Sequence, residues 1–244
     1  MTTELTLYYA PDTCARVSMI ALEETGAPYR AQLISFVRGD HRAEAFLELQ
    51  PQGRVPLLLV DGEPLVENVA ILSWLHGRFP DAGLLPAAES DLAAARQLAD
   101  LAWCASGLHP LVTRIRLPQF SCPVPEAQPA VRAAAMAAMA GQLRIAEARL
   151  NDGPWWYGER WSIVDAYLNW VWFRITGAGF DAGPFPRLAD HDRRITARPS
   201  VARTLEIHAT AARELADQGL AVNFDTIAPV PMPQVANILI DGVK

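Results

Sequence analysis

Over residues 1–80 the apolar positions change period repeatedly, and this predicts strands alternating with helices. Leu5–Tyr9 reads as a strand. Cys14–Thr25 carries Val17, Ile20, Ala21 and Leu22 at helical spacing, with Gly26 as a stop signal. Tyr29–Phe36 reads as a second strand and His41–Leu49 as a short helix. Pro56–Val60 and Pro64–Val66 flank Asp61-Gly62, a pair whose backbone suits a tight hairpin turn. Val69–Phe79 returns to the helical period, with Ile71, Leu72 and Leu75 on one side.

The stretch FPDAGLLPAAES (Phe79–Ser90) is rich in Pro, Gly and small residues, so residues 81–90 read as a linker. Beyond it, residues 91–219 follow one period only, that of helices. Asp91–Leu117 and Pro129–Asn151 are long and Ala-rich, and Ser162–Thr176, Arg187–Ala197 and Ser200–Gly219 complete an all-helical half. Residues 220–244 form a Pro-broken C-terminal extension whose apolar ANILI segment favours docking somewhere.

Composition narrows the class. The chain has 244 residues, 51% hydrophobic and 20% charged, enough for one large domain or two small ones around a real core. The net charge of -6 and the lack of a basic stripe argue against nucleic acid as a partner. No apolar run is long enough for a bilayer, so no membrane partner is expected, and MTTELTLYY does not resemble a signal peptide. The cysteines number three, with no CxxC or Cys/His spacing, which predicts free thiols in a reducing cytoplasm and no metal.

Some positions carry chemistry. Cys14 follows the Pro11-Asp12 break, where Asp12 or Thr13 can cap the next helix. A thiol in a first helical turn faces partial positive charge, which favours thiolate. Position alone leaves open whether Cys14 is reactive or merely a small buried hydrophobe. Glu67 and Asn68 stand at a helix start, where an acid is commonly a cap and free N–H groups attract anions. His109 precedes Pro110 inside a helical pattern, and the proline predicts a bend there. Ser162 and Asp165 have capping-box spacing and are assigned to folding.

Four segments occur in the order of a known family. YYAPDTCARVSMIALEE, LQPQGRVPLLLVDGEPLVENVAIL, YGERWSIVDAYL and FPRLADHDRRITARPSVARTLE together resemble a glutathione S-transferase over residues 4–215, with the cysteine placed as in the bacterial Beta class. The resemblance implies an α/β thioredoxin-like N-terminal domain, an all-α C-terminal domain and a homodimer, with a heterodimer as the alternative. It implies a cis bond at Val55-Pro56, so that Val55 pairs with the cysteinyl backbone of glutathione. Arg54 then approaches the glycyl carboxylate, while Glu67 and Asn68 hold the γ-glutamyl end. Cys14, Thr13 and His109 are the implied catalytic group. Tyr9, Pro11, Phe173 and Arg174 are candidates for the border of a second pocket, for a small hydrophobic electrophile. The expected activity is glutathione transfer. A thiol–disulfide oxidoreductase working through Cys14 and a non-catalytic binding subunit are the alternatives.

Overall fold

The structure is a computed structural model and describes residues 3–223. Four strands, β1 (Leu5–Tyr9), β2 (Arg30–Leu33), β3 (Leu57–Val60) and β4 (Glu63–Val66), make one sheet in the order β2-β1-β3-β4. β1 and β2 are parallel; the other pairs are antiparallel, with Leu5 opposite Val60 and Leu58 opposite Leu65. Leu5, Leu7 and Tyr9 are buried while Thr6 and Tyr8 are partly open, the alternation expected of a strand with one face on the core. The hairpin between β3 and β4 turns at Asp61 (φ 51) and Gly62 (φ 89). Two successive positive φ values match the twist of the flanking strands, and Asp-Gly is the pair that tolerates them.

Three helices belong to this half: α1 (Ala15–Thr25), α2 (Glu44–Leu49) and α3 (Asn68–Arg78). α1 is buried from Ala15 to Leu22 and closes on Gly26 in the left-handed conformation (φ 65). Its burial is nearly all-round because α3 packs on it from one side and α7 and α9 from the other. The second strand is shorter than its apolar pattern suggests, because Ser35 and Phe36 turn away into the Ser35–Asp40 loop. The helix expected over His41–Leu49 starts at Glu44, after a 3₁₀ turn at Asp40–Arg42.

The rest is helical: α4 (Asp91–Ala102), α5 (His109–Arg116), α6 (Gln128–Arg149), α7 (Ile163–Thr176), α8 (Pro186–Thr196) and α9 (Pro199–Asp217). The single helix expected over Asp91–Leu117 is interrupted by a π-helical stretch at Trp103–Leu108. There the His109 N–H donates to Cys104 O, five residues back. Pro110 has no N–H to give and its ring crowds the preceding turn, so the helix widens just before it. The extension lies outside the described residues from position 224 onward. Among the described residues no helix is long and apolar enough to cross a membrane.

α7 is the central helix of the helical half, buried at nearly every position from Ile163 to Ile175. Its start is held by one carboxylate. Asp165 Oδ2 accepts from the Ser162 N–H (2.8 Å) and hydroxyl (3.0 Å). Its Oδ1 accepts from the Trp156 N–H (2.7 Å) and meets His191 Nε2 of α8 at 2.9 Å. Asp165 is fully buried, so its loss strands several polar groups at once. Asp165→Ala is expected to destabilise the fold by about 3–5 kcal/mol. Urea unfolding followed by tryptophan fluorescence checks this, and a loss below about 1 kcal/mol would contradict the reading.

Candidate functional site

The turn from β1 into α1 begins the site. Thr13 donates its hydroxyl to Ala10 O (2.7 Å) and accepts from the Ala15 N–H (3.4 Å), so it closes the turn. Asp12 does not cap the helix. It takes a left-handed backbone (φ 63), and its N–H, carbonyl and carboxylate each have a partner. Its N–H donates to His208 Nδ1 of α9 (3.3 Å) and its carbonyl accepts from Trp170 Nε1 of α7 (3.1 Å). Its carboxylate pairs with Arg16 (3.3 Å), whose guanidinium also lies over the Phe173 ring at 4.0 Å.

Cys14 is 8% exposed and sits one residue before α1. Its thiol donates to Val55 O across 3.7 Å, and Val55-Pro56 is a cis peptide. The Cys14 carbonyl accepts from Asn68 Nδ2 (3.1 Å), and Asn68 Oδ1 accepts in turn from the Ser18 hydroxyl (2.6 Å). Asn68 therefore bolts α3 to the start of α1. The expectation of a thiolate meets a stronger opposing effect. Burial pushes the thiol from 9.0 up to about 12, with Glu67 adding to the rise, against a smaller opposing pull from main-chain and Asn68 hydrogen bonding and Arg174. Low dielectric penalises the anion more than the helix start favours it.

One cavity of about 330 Å³ gathers Cys14, Arg54, Val55, Pro56, Glu67, Asn68 and His109. Glu67 stands exposed at its rim with a left-handed backbone (φ 70), directly before α3. The first N–H groups of that helix have no helical acceptor and point toward the same end. His109 meets Tyr167 Oη through Nδ1 at 3.4 Å and packs edge-on against Trp170 with ring centroids 4.6 Å apart. Burial, then the charges of Arg54 and Arg174, push the His109 pKa down to about 4, so the ring is neutral near pH 7.

Other expected residues fall elsewhere. Tyr9 is buried against the His208 ring at 5.3 Å, and Thr13 and Pro11 form the turn behind Cys14. Phe173 is covered by Arg16. Arg174 is buried without bordering the cavity, although its charge is felt at Cys14 and His109. None of these five lines the cavity. Residues that sequence reasoning did not single out do line it, among them Gln50, Thr113, Arg114, Ser121 and Tyr167. Thr113 lies four positions after His109, a helical spacing that could have pointed to it. Tyr167 sits in the capping segment and reaches the cavity only because α7 packs beneath it.

Family models match both halves of the chain: the glutathione S-transferase N-terminal domain over residues 3–77 and the C-terminal domain over residues 105–199. The chain belongs to the glutathione S-transferase family. It is 30% identical over 198 residues to glutathione S-transferase GstA of Escherichia coli O157:H7, covering 80% of this chain and 94% of that one. It is 33% identical over 193 residues to maleylacetoacetate isomerase of Pseudomonas aeruginosa, covering 76% and 87%. A crystal structure of a glutathione transferase homologue from Sulfitobacter, with bound glutathione, superimposes with a TM-score of 0.73 at 28% identity, covering 90% of this chain and all of that one. The rim offers Glu67 for a cation, and Arg54 and the α3 start for anions. Among the described residues no cluster of metal-ligating side chains is present.

Two measurements follow from the buried groups. Cys14 and Cys104 are buried, with thiols held protonated by desolvation, whereas Cys122 is partly open. A thiol dye at pH 8 is expected to label Cys122 alone in the native protein and all three cysteines after unfolding; rapid native labelling of Cys14, read by peptide mass spectrometry, would contradict this. His109 and His208 are pushed down to about 4 and about 3, from an ordinary value of 6.5. The unfolded chain therefore binds protons that the fold resists, so stability is full above about pH 6.5 and falls as pH drops toward 4. The thermal midpoint should show that acid slope, and His208→Gln should flatten it.

Proposed function

We propose that the chain is a glutathione transferase that holds the tripeptide beside Val55 and Glu67 and directs its sulfur, as thiolate, at an electrophilic carbon. The single observation behind this reading is the cavity that joins Arg54, Val55, Pro56, Glu67 and Asn68 to Cys14 and His109. Val55 offers main-chain groups beside the cis proline, in the manner of an added strand. Glu67 receives the amine, and the free N–H groups at the α3 start receive the adjacent carboxylate. Arg54 receives the carboxylate at the other end. Asn68 keeps the Cys14 turn in place through the Cys14 carbonyl, in place of the direct ligand contact that its position suggests.

The thiolate forms in the tripeptide and not on Cys14, because the Cys14 thiol is held neutral against Val55 O. That argues against a Cys14-centred disulfide oxidoreductase. Neutral His109 can donate or accept one hydrogen bond at the sulfur. Holding nucleophile and electrophile together supplies much of the rate. A second reading, glutathione-dependent isomerisation, is favoured by the isomerase relative and uses the same sulfur without net consumption of glutathione. A homodimer in the cytoplasm completes the proposal, in keeping with the free cysteines.

Calorimetry with glutathione is expected to show binding, and Glu67→Gln to weaken it by about tenfold, the usual scale for a hydrogen bond to a charged group. Turnover of 1-chloro-2,4-dinitrobenzene, or of a cis-dienoic acid, then separates transfer from isomerisation. Absence of heat with saturating glutathione would overturn both readings.

A further inference from the structure

The cavity has two unlike walls. The residues assigned above to the tripeptide, 54–56, Glu67 and the main chain at the α3 start, come from the sheet half of the molecule. Facing them stand His109, Thr113 and Arg114 of α5 and Ser121 of the turn after it. That wall is largely polar; among the described residues its apolar parts are Ala105, Pro110 and the ring of Tyr167. It also carries an unmatched charge. Arg114 is exposed, and among the described residues it makes no ion pair and no hydrogen bond through its side chain. Among the described residues Glu67 is the only carboxylate bordering the cavity, on the opposite rim. His109 cannot offset Arg114 in either protonation state, since an imidazole is neutral or cationic.

An apolar electrophile gains little from a wall of hydroxyls and a guanidinium. A carboxylate gains a paired, charge-assisted contact in a geometry that Arg presents well. We propose that the second substrate of this site is an anionic electrophile bearing a carboxylate, and that Arg114 receives that group. The proposal rests on the transferase reading and narrows it, replacing the small hydrophobic electrophile expected from the sequence.

The test uses a matched pair of electrophiles, 4-chloro-3,5-dinitrobenzoate and its methyl ester. In each, glutathione sulfur forms a C–S bond at the ring carbon bearing chlorine. Chloride leaves with the electrons of the C–Cl bond, and the thiol proton goes to buffer. The intact protein is expected to prefer the benzoate over the ester in kcat/KM by about tenfold or more after correction for the uncatalysed rates. Arg114→Gln should collapse that ratio, mainly through the benzoate KM, and rising salt should erode it in the unaltered protein. Calorimetry with the unreactive 3,5-dinitrobenzoate on glutathione-loaded protein reads the same contact without turnover. If neither electrophile reacts, the transferase reading falls while this binding still decides on the anion. Equal preference for acid and ester, or 3,5-dinitrobenzoate binding equally well to the intact protein and to Arg114→Gln, overturns the proposal. So does a loss in Arg114→Gln that appears in the Kd of glutathione itself, since the guanidinium would then serve the tripeptide.

Discussion

The five-residue turn between β1 and α1 is the constraint on which the site depends. Asp12 holds a left-handed backbone, which costs an ordinary residue roughly 1–2 kcal/mol. The cost is offset by contacts from far along the chain, His208 on its N–H and Trp170 on its carbonyl, and by nearby Arg16 on its carboxylate. From the other side Asn68 grips the Cys14 carbonyl. The position of Cys14 is thus a joint product of the sheet half, through α3, and the helical half, through α7 and α9. A site at such a junction exists only when both halves are folded and docked.

Electrostatics give the same junction its character. The whole chain carries a net charge of -6, yet Arg54 and Arg114 border the cavity and Arg174 lies close behind it. Both groups that could have balanced these cations as anions or competed as cations are held neutral: the Cys14 thiol by burial, the His109 ring by burial and by the arginines themselves. A concave site in which two arginines face a single carboxylate, Glu67, on a molecule of net negative charge concentrates field lines and draws anions inward. Glutathione brings two carboxylates and a sulfur that reacts as an anion, so the cavity is complementary to its charge before any particular contact is counted.

Much of the fold was legible in the sequence, for local reasons. Asp61-Gly62 specifies its turn through backbone preference alone, and the alternation in Leu5–Tyr9 assigns the buried face of the first strand. Gly26 ends α1 because it alone accepts the left-handed conformation there without strain. The interruption before His109 was half legible: Pro110 announces a bend, but whether a helix kinks or widens into a π-turn depends on what packs around it. Cys14, Arg54, Val55, Pro56, Glu67 and Asn68 were readable from the first two ordered motifs and His109 from the resemblance to the Beta class, and the structure brings these seven to one cavity. Tyr9, Pro11 and Thr13 lie beside Cys14 in the chain, and Phe173 and Arg174 end an aromatic-rich helix, but neither fact decides which way a side chain faces.

By itself the sequence determined the periods, the caps, the turns and the family, because each is carried by residues a few positions apart. Only the tertiary structure decided the state of the groups. Whether a thiol ionises depends on how much water reaches it, and whether a histidine is charged depends on arginines brought close by folding, from 55 positions before it and 65 after it. Those are properties of the enclosing volume, and no local pattern of residues encodes them.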